Sequence, residues 1–353
     1  MKFSEMTYTR PDVEALKERA AQVVKDLELA DSARAQADIY LAFEEEFKVV
    51  ETMSTLAYIR HTINTKDEFY AAEQDWLDEV MPQVEELSQN VSLALLRSAY
   101  RAELEEILGK LLFDNMEIAV RCFKPELMPL MAEENRLSSE YQKLYASAVV
   151  EFNGQTMPLP KLGPYKQSTD RAVRKAAYET EGRFFDEHQA ELDELYDKLV
   201  KNRTQQAKML GYENFLPLGY DRMGRNCYGA AKVAAFRDQV VEQLVPLVQK
   251  LKEEQRQRLG LEHLYFYDDV MLFPDGNATP QGSAEDILKA GLDMYHGLSA
   301  ETAEFIDFMY ENELLDVLSK DGKAPAATAP PSPCMKPPSF SPTSTAPPPM
   351  WMC

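Results

Sequence analysis

The chain is predicted to be mainly α, with long helices, one small β-hairpin near residues 149–159 and a disordered proline-rich tail. Three observations carry that expectation. Over most of the first 323 residues apolar side chains recur at three- and four-residue steps, the spacing of one helical face. A single Asn153-Gly154 pair stands between short alternating segments, and both residues tolerate the positive φ of a tight hairpin turn. From Ala324 to Cys353 the chain is dense in proline among Ser, Thr and Ala, and cannot bury enough surface to offset its ordering entropy.

Taken in order, Thr9-Arg10-Pro11-Asp12 reads as a helix start, with a hydroxyl cap, proline in the first turn and an acid near the positive end of the dipole. From there to about Gly109 the pattern stays helical. Ile39, Phe43, Phe47, Val50, Met53 and Ala57 share one face of a long helix, and Asp75-Trp76-Leu77 with Val80 through Leu87 continue the style. The hairpin falls at Val149 through Leu159. After Ser168-Thr169-Asp170 a charged helix is expected to run to about Lys208, with Gly211 at its end. A further helix spans Ala231 to Arg258, striped by Val233, Phe236, Val240, Leu244, Leu247 and Leu251, and Pro246 predicts a kink in it. Leu264 to Phe273 reads as an extended loop or one strand. Helices follow at Ala284–Tyr295 and Ser299–Tyr310.

Composition narrows the function. The net charge of -21 disfavours nucleic acid and anionic membranes, whose recognition needs concentrated Lys and Arg. No apolar run approaches the length of a membrane span, and Met1-Lys2-Phe3-Ser4-Glu5 opens no signal-type stretch, so a cytoplasmic location is expected. Cys122, Cys227, Cys334 and Cys353 are far apart and form no Cys-x-x-Cys pair, which fits reduced thiols better than a disulfide framework or thiolate zinc site.

The residues alone name no reaction. His61, His188, His263 and His296 include no pair four apart that would put two imidazoles on one helical face for zinc. There is no glycine-rich phosphate loop and no Gly-x-Ser-x-Gly elbow. Asp268-Asp269 could pair as carboxylates for metal or acid-base work, but a loop cap or salt-bridge role is the stronger expectation.

Several runs nevertheless resemble the oligoendopeptidase F branch of the thimet-oligopeptidase-like zinc metallopeptidases. They are Asp170 to Ala177, Arg203 to Tyr212, Tyr220 to Asn226, Tyr267-Asp268, Gly297 to Thr302 leading into Phe305 to Met309, and Leu318 to Pro325. The resemblance implies a mostly helical, two-lobed oligopeptidase body with a deep channel, cutting short peptides with one zinc. It implies an N-terminal helical lobe with the hairpin over 1–200, the beginning of a catalytic domain over 201–323, and the tail over 324–353. In the family, His-Glu-x-x-His and a later glutamate hold the metal; this chain contains neither. No catalytic or metal residue is therefore assigned, zinc is expected for the full-length family and not for this chain, and Phe152, Asn153 and Gly154 are candidate channel-lining residues. A non-catalytic helical module that binds peptides or a partner, with a proline-rich tail, is the alternative.

The tail can be tested against codon degeneracy. If one base is lost at Pro325, Ala326 to Pro330 admit Gly-Gly-Tyr-Cys-Thr, a run the family carries before its metal motif. In the same frame Met335-Lys336 forces Glu, and Met350-Trp351-Met352-Cys353 forces Val-Asp-Val. The expectation is an out-of-frame tail that truncates the chain just before its metal-binding helix. Helices after about Lys201 should then lack packing partners and expose Phe305, Phe308 and Met309.

Overall fold

Asp12 is the cap that starts the first long helix. Its Oδ1 accepts from the Ala15 amide at 3.0 Å, so α1 runs Val13–Leu29 and the expected start at Thr9 is displaced by one turn. Pro11 disfavours helical geometry at Arg10, whose side chain instead pairs with Glu73. The computed structural model describes residues 2–279, 281–318 and 320–324; the tail from Pro325, with Cys334, Trp351 and Cys353, lies outside them.

Next come α2 (Ala33–Ile63), α3 (Glu68–Leu96), α4 (Arg101–Leu108), α5 (Lys110–Arg121) and α6 (Met128–Ala146). Ser32 and Asp67 cap α2 and α3 through backbone amides, as short polar residues do at N-termini. α1 packs on α2 and α3, and α3 on α5 and α6. Their stripes interlock in one core around Val23, Leu27, Phe43, Val91, Leu95, Leu104 and Phe113. The face proposed for α2 is the buried one: Phe43 is 1 % exposed and Ala57 0 %.

The hairpin forms as expected from β1 (Val149–Phe152) and β2 (Gln155–Pro158), antiparallel with Phe152 opposite Gln155. Asn153 and Gly154 turn the chain at φ 52° and 73°, the pair of left-handed residues a two-residue hairpin requires. Val150, Phe152 and Met157 point inward and form a second core with Leu159, Leu162, Ala177 and Phe184.

After α7 (Gly163–Lys166), the single helix expected up to Lys208 is two: α8 (Arg171–Glu187) and α9 (Gln189–Met209), broken at His188. Polar periodicity runs through the break, which is why it is invisible in the sequence. Asp170 caps α8, and Gly211 at φ 89° closes α9 with the Tyr212 amide donating to the Ala207 carbonyl. α10 (Phe215–Arg222) follows.

The next stretch comprises α11 (Ala230–Gln239), a π turn at Val240–Leu244, and α12 (Val245–Arg258). The irregularity forecast from Pro246 takes this form. Proline has no N–H to donate and its ring crowds the carbonyl four residues back; the widened turn accommodates both. Residues 264–273 form a loop with a 3₁₀ turn at Phe266–Asp268, without a strand. α13 (Ala284–Leu298) and α14 (Ala300–Glu311) pack on each other, and Ser299 caps α14 as read. The last described residues return to the end of α2: the Thr65 amide donates to the Gly322 carbonyl at 2.7 Å and the Ala324 amide to the Thr62 carbonyl at 2.8 Å.

One forecast about this half is corrected. Phe305, Phe308 and Met309, on α14, are half-buried. The bare apolar face is on α11 and α12, where Phe236 is 64 % exposed, Leu247 53 % and Leu251 52 %.

Candidate functional site

Two buried carboxylates organise the second half of the chain. The first is Asp268, fully buried at the foot of the 264–273 loop. Arg171 Nη2 donates to its Oδ2 at 2.7 Å, Arg174 Nη2 to its Oδ1 at 2.8 Å, and the Tyr265 amide to Oδ2 at 3.1 Å. Burial alone would push this carboxyl up, but the two guanidinium groups and the amide outweigh it and hold it down at about 2. Both arginines sit on the first turn of α8, one above the other at i and i+3, so a single loop residue is pinned to the helix by two forks. Arg171 also lies over the stacked rings of Tyr265 and Tyr267, 5.5 and 5.4 Å from their centroids.

The second carboxylate is Glu134 of α6. Arg203 Nε donates to it at 2.7 Å, Gln206 Nε2 at 2.8 Å and Arg222 Nη1 at 2.9 Å, so α6, α9 and α10 meet at one charge. Burial raises this carboxyl; the hydrogen bonds and charge of Arg222, with Arg203 and Gln206, bring it below its ordinary range. Sequence reasoning missed this node. Its signal lay in the runs Arg203 to Tyr212 and Tyr220 to Asn226, which carry all three partners.

Asp268 therefore takes the salt-bridge and cap role expected of it, and Asp269 pairs with Lys252 at 2.5 Å. The structure separates the three hairpin candidates. Phe152 is buried, its ring 4.9 Å from that of Tyr165, while Asn153 and Gly154 form the exposed tip. Of the histidines, His61 on α2 is buried and His296 pairs with Asp307 at 2.7 Å across α13 and α14. Burial, with Lys143 nearby, lowers the His61 pKa and favours the neutral ring. Cys122 and Cys227 are free thiols. Among the described residues no three His, Cys, Asp or Glu side chains stand close enough to hold a metal ion; they do not fit a catalytic zinc. No helix among them is long and apolar enough to cross a membrane.

Two concave surfaces among the described residues are open grooves. One, of about 460 Å³, runs along the π turn and α12 between Val240, Leu244, Val248, Lys252 and Leu264. Another, of about 510 Å³, lies on α9 beside Val200, Thr204, Lys208 and Met209.

Comparison with known proteins places this arrangement. The family model for the Peptidase M3 N-terminal domain matches residues 3–123, and that for Peptidase family M3 matches residues 164–273. Among solved structures, Pz peptidase A with an inhibitor is 44 % identical, with a TM-score of 0.90 over 92 % of this chain and 57 % of its own. A structure assigned as oligoendopeptidase F is 45 % identical over the same shares, also at 0.90. A Bacillus anthracis protein assigned as oligoendopeptidase F is 42 % identical at 0.89, over 92 % of this chain and 60 % of its own. No curated protein sequence matches. The chain belongs to peptidase family M3, on its oligoendopeptidase F side, and spans about three fifths of the length of the solved structures it matches.

Proposed function

We propose that this chain is the N-terminal part of an oligoendopeptidase F-like zinc endopeptidase that hydrolyses short peptides in the cytoplasm. One observation carries the reading: 44 % identity to Pz peptidase A at a TM-score of 0.90 across 92 % of this chain, with 57 % of that chain covered. In this reading residues 1–200 form the N-terminal lobe and residues 201–323 begin the catalytic domain. The metal-binding motif belongs to sequence that would follow, and the 324–353 tail is that sequence read out of frame. The ion-paired anchors at Asp268 and Glu134 then hold the helices on which the catalytic part is completed, and themselves touch no reacting atom.

The hairpin tip at Asn153 and Gly154 is proposed to line one wall of the peptide channel, with Phe152 holding the tip in position from below. The exposed turn and its anchored base support that assignment.

By itself the chain is expected to hydrolyse nothing, and a zinc-supplemented assay on a quenched fluorescent peptide tests this directly. Clear cleavage would overturn the inactive reading. Sequencing the DNA tests the frame: restoring one base at the Pro325 codon should open a frame that encodes His-Glu-x-x-His, and unrelated sequence beyond a clean stop would sink it.

A further inference from the structure

We propose that Arg225, held against two tyrosine rings in the loop from α10 to α11, binds the carboxylate of a short acidic peptide. The choice of a peptide rests on the family reading above; the charge of the ligand rests on the loop itself. From Arg222 to Arg237 the chain carries four basic residues and no Asp or Glu, within a protein of net charge -21. Arg222 is neutralised by Glu134. Arg225, Lys232 and Arg237 pair with no carboxylate among the described residues, so positive charge is left over here on an otherwise acidic protein.

The backbone sets where Arg225 stands. Gly224 at φ 64° closes α10, its amide donating to the Asp221 carbonyl at 2.8 Å and the Arg225 amide to the Tyr220 carbonyl at 3.2 Å. Asn226 fastens the loop to Asn115 of α5 at 2.8 Å, and Lys232 Nζ reaches back to the Cys227 carbonyl at 3.4 Å. The guanidinium then lies 4.5 Å from the Tyr220 ring centre and 5.6 Å from that of Tyr228. Aromatic faces hold a guanidinium without using its N–H groups, and those of Arg225 make no hydrogen bond among the described residues. A planar fork fixed in this way matches a carboxylate with two parallel hydrogen bonds, and little side-chain freedom is left to lose on binding.

Charge complementarity selects the ligand. At physiological ionic strength charges more than roughly 8 Å away are largely screened, so Arg225, with Lys232 on the same loop, prevails locally over the acidic remainder of the surface. Nucleic acid is the poorer candidate, because its affinity draws on many phosphate contacts at once, and a chain of net charge -21 repels a long polyanion. A peptide carboxylate needs one fork.

The test titrates the full chain, without zinc, into a fluorescein-labelled short peptide ending in glutamate and follows anisotropy. Saturable binding that weakens with added salt is expected, and it should vanish when the terminus is amidated and the glutamate replaced by glutamine. Arg225→Gln and Arg225→Lys should each weaken binding by about tenfold or more with helicity and melting unchanged, since lysine keeps the charge but lacks the fork. Lys25→Gln, which removes an exposed cation of α1, should leave binding intact. The proposal falls if the neutral peptide binds as well, if the Arg225 variants bind like the wild type, or if Lys25→Gln weakens binding as much, which would mark diffuse attraction. It falls equally if inorganic phosphate or a short oligothymidylate binds and the acidic peptide does not. Binding is read without cleavage: its absence leaves the peptidase reading standing, and a reading frame that fails to open beyond Pro325 leaves the carboxylate site standing.

Discussion

Two helical regions carry the same apolar pattern and meet opposite fates. In α2 the stripe from Ile39 to Ala57 disappears into a core shared with α1 and α3, and Phe43 is 1 % exposed. In α11 and α12 a stripe of equal regularity remains at the surface, with Phe236 64 % exposed. Hydrophobic periodicity states which face of a helix is to be buried; it does not state that the partner is present. The first region stabilises the fold, whereas the second supplies a surface.

The largest effect should come from breaking that equivalence directly. Phe43→Ala removes a fully packed ring and is expected to cost about 3–5 kcal/mol, visible as a large drop in the denaturant midpoint. Phe236→Ala should change the unfolding free energy by less than about 0.5 kcal/mol. Similar destabilisation by the two substitutions would mean that the second stripe is packed in solution.

A smaller effect tests how α12 is seated. Asp268→Asn strands two guanidinium groups, one of them buried, and should cost roughly 3 kcal/mol or more. Faster amide exchange should be confined to residues 261–273 and α12, leaving α1 to α3 protected. The same carboxylate gives a pH signature. Its folded pKa of about 2 lies below the unfolded value, so its contribution is fully present above about pH 4 and is lost as the pH falls through about 2. That contribution amounts to about 2–3 kcal/mol. Neutral Asn at 268 should flatten the acid limb of the stability curve; an unchanged limb would assign it to other carboxylates.

The smallest effect is expected at the hairpin tip. Gly154→Ala places a Cβ at φ 73° and should cost about 1 kcal/mol. No heavy atom stands within 4 Å of that Cβ, so the penalty is conformational. A loss much above that would show that the tip is packed.

Much of this architecture was legible residue by residue. Asn153-Gly154 announced its turn, Gly211 its helix end and Ser299 its cap, because each acts on atoms within a few positions. What failed was also local in appearance: Thr9 was read as a cap although Asp12 takes that role, and the break at His188 leaves no proline or glycine behind it. The polar nodes were only half legible. Arg171, Arg174, Arg203 and Arg222 stood in the runs that resemble oligoendopeptidase F, yet nothing local said that Asp268 or Glu134 would receive them. Glu134 is 69 residues from Arg203 and 88 from Arg222.

By itself, the sequence determined the helices, the hairpin and which face of each helix is apolar, since propensity, capping and periodicity act over one to four turns. Only the tertiary structure decided which faces are covered and which charges meet. Burial and ion pairing depend on groups brought together from distant positions. The stripe of α2 found its partners in α1 and α3, while that of α11 and α12 stays exposed.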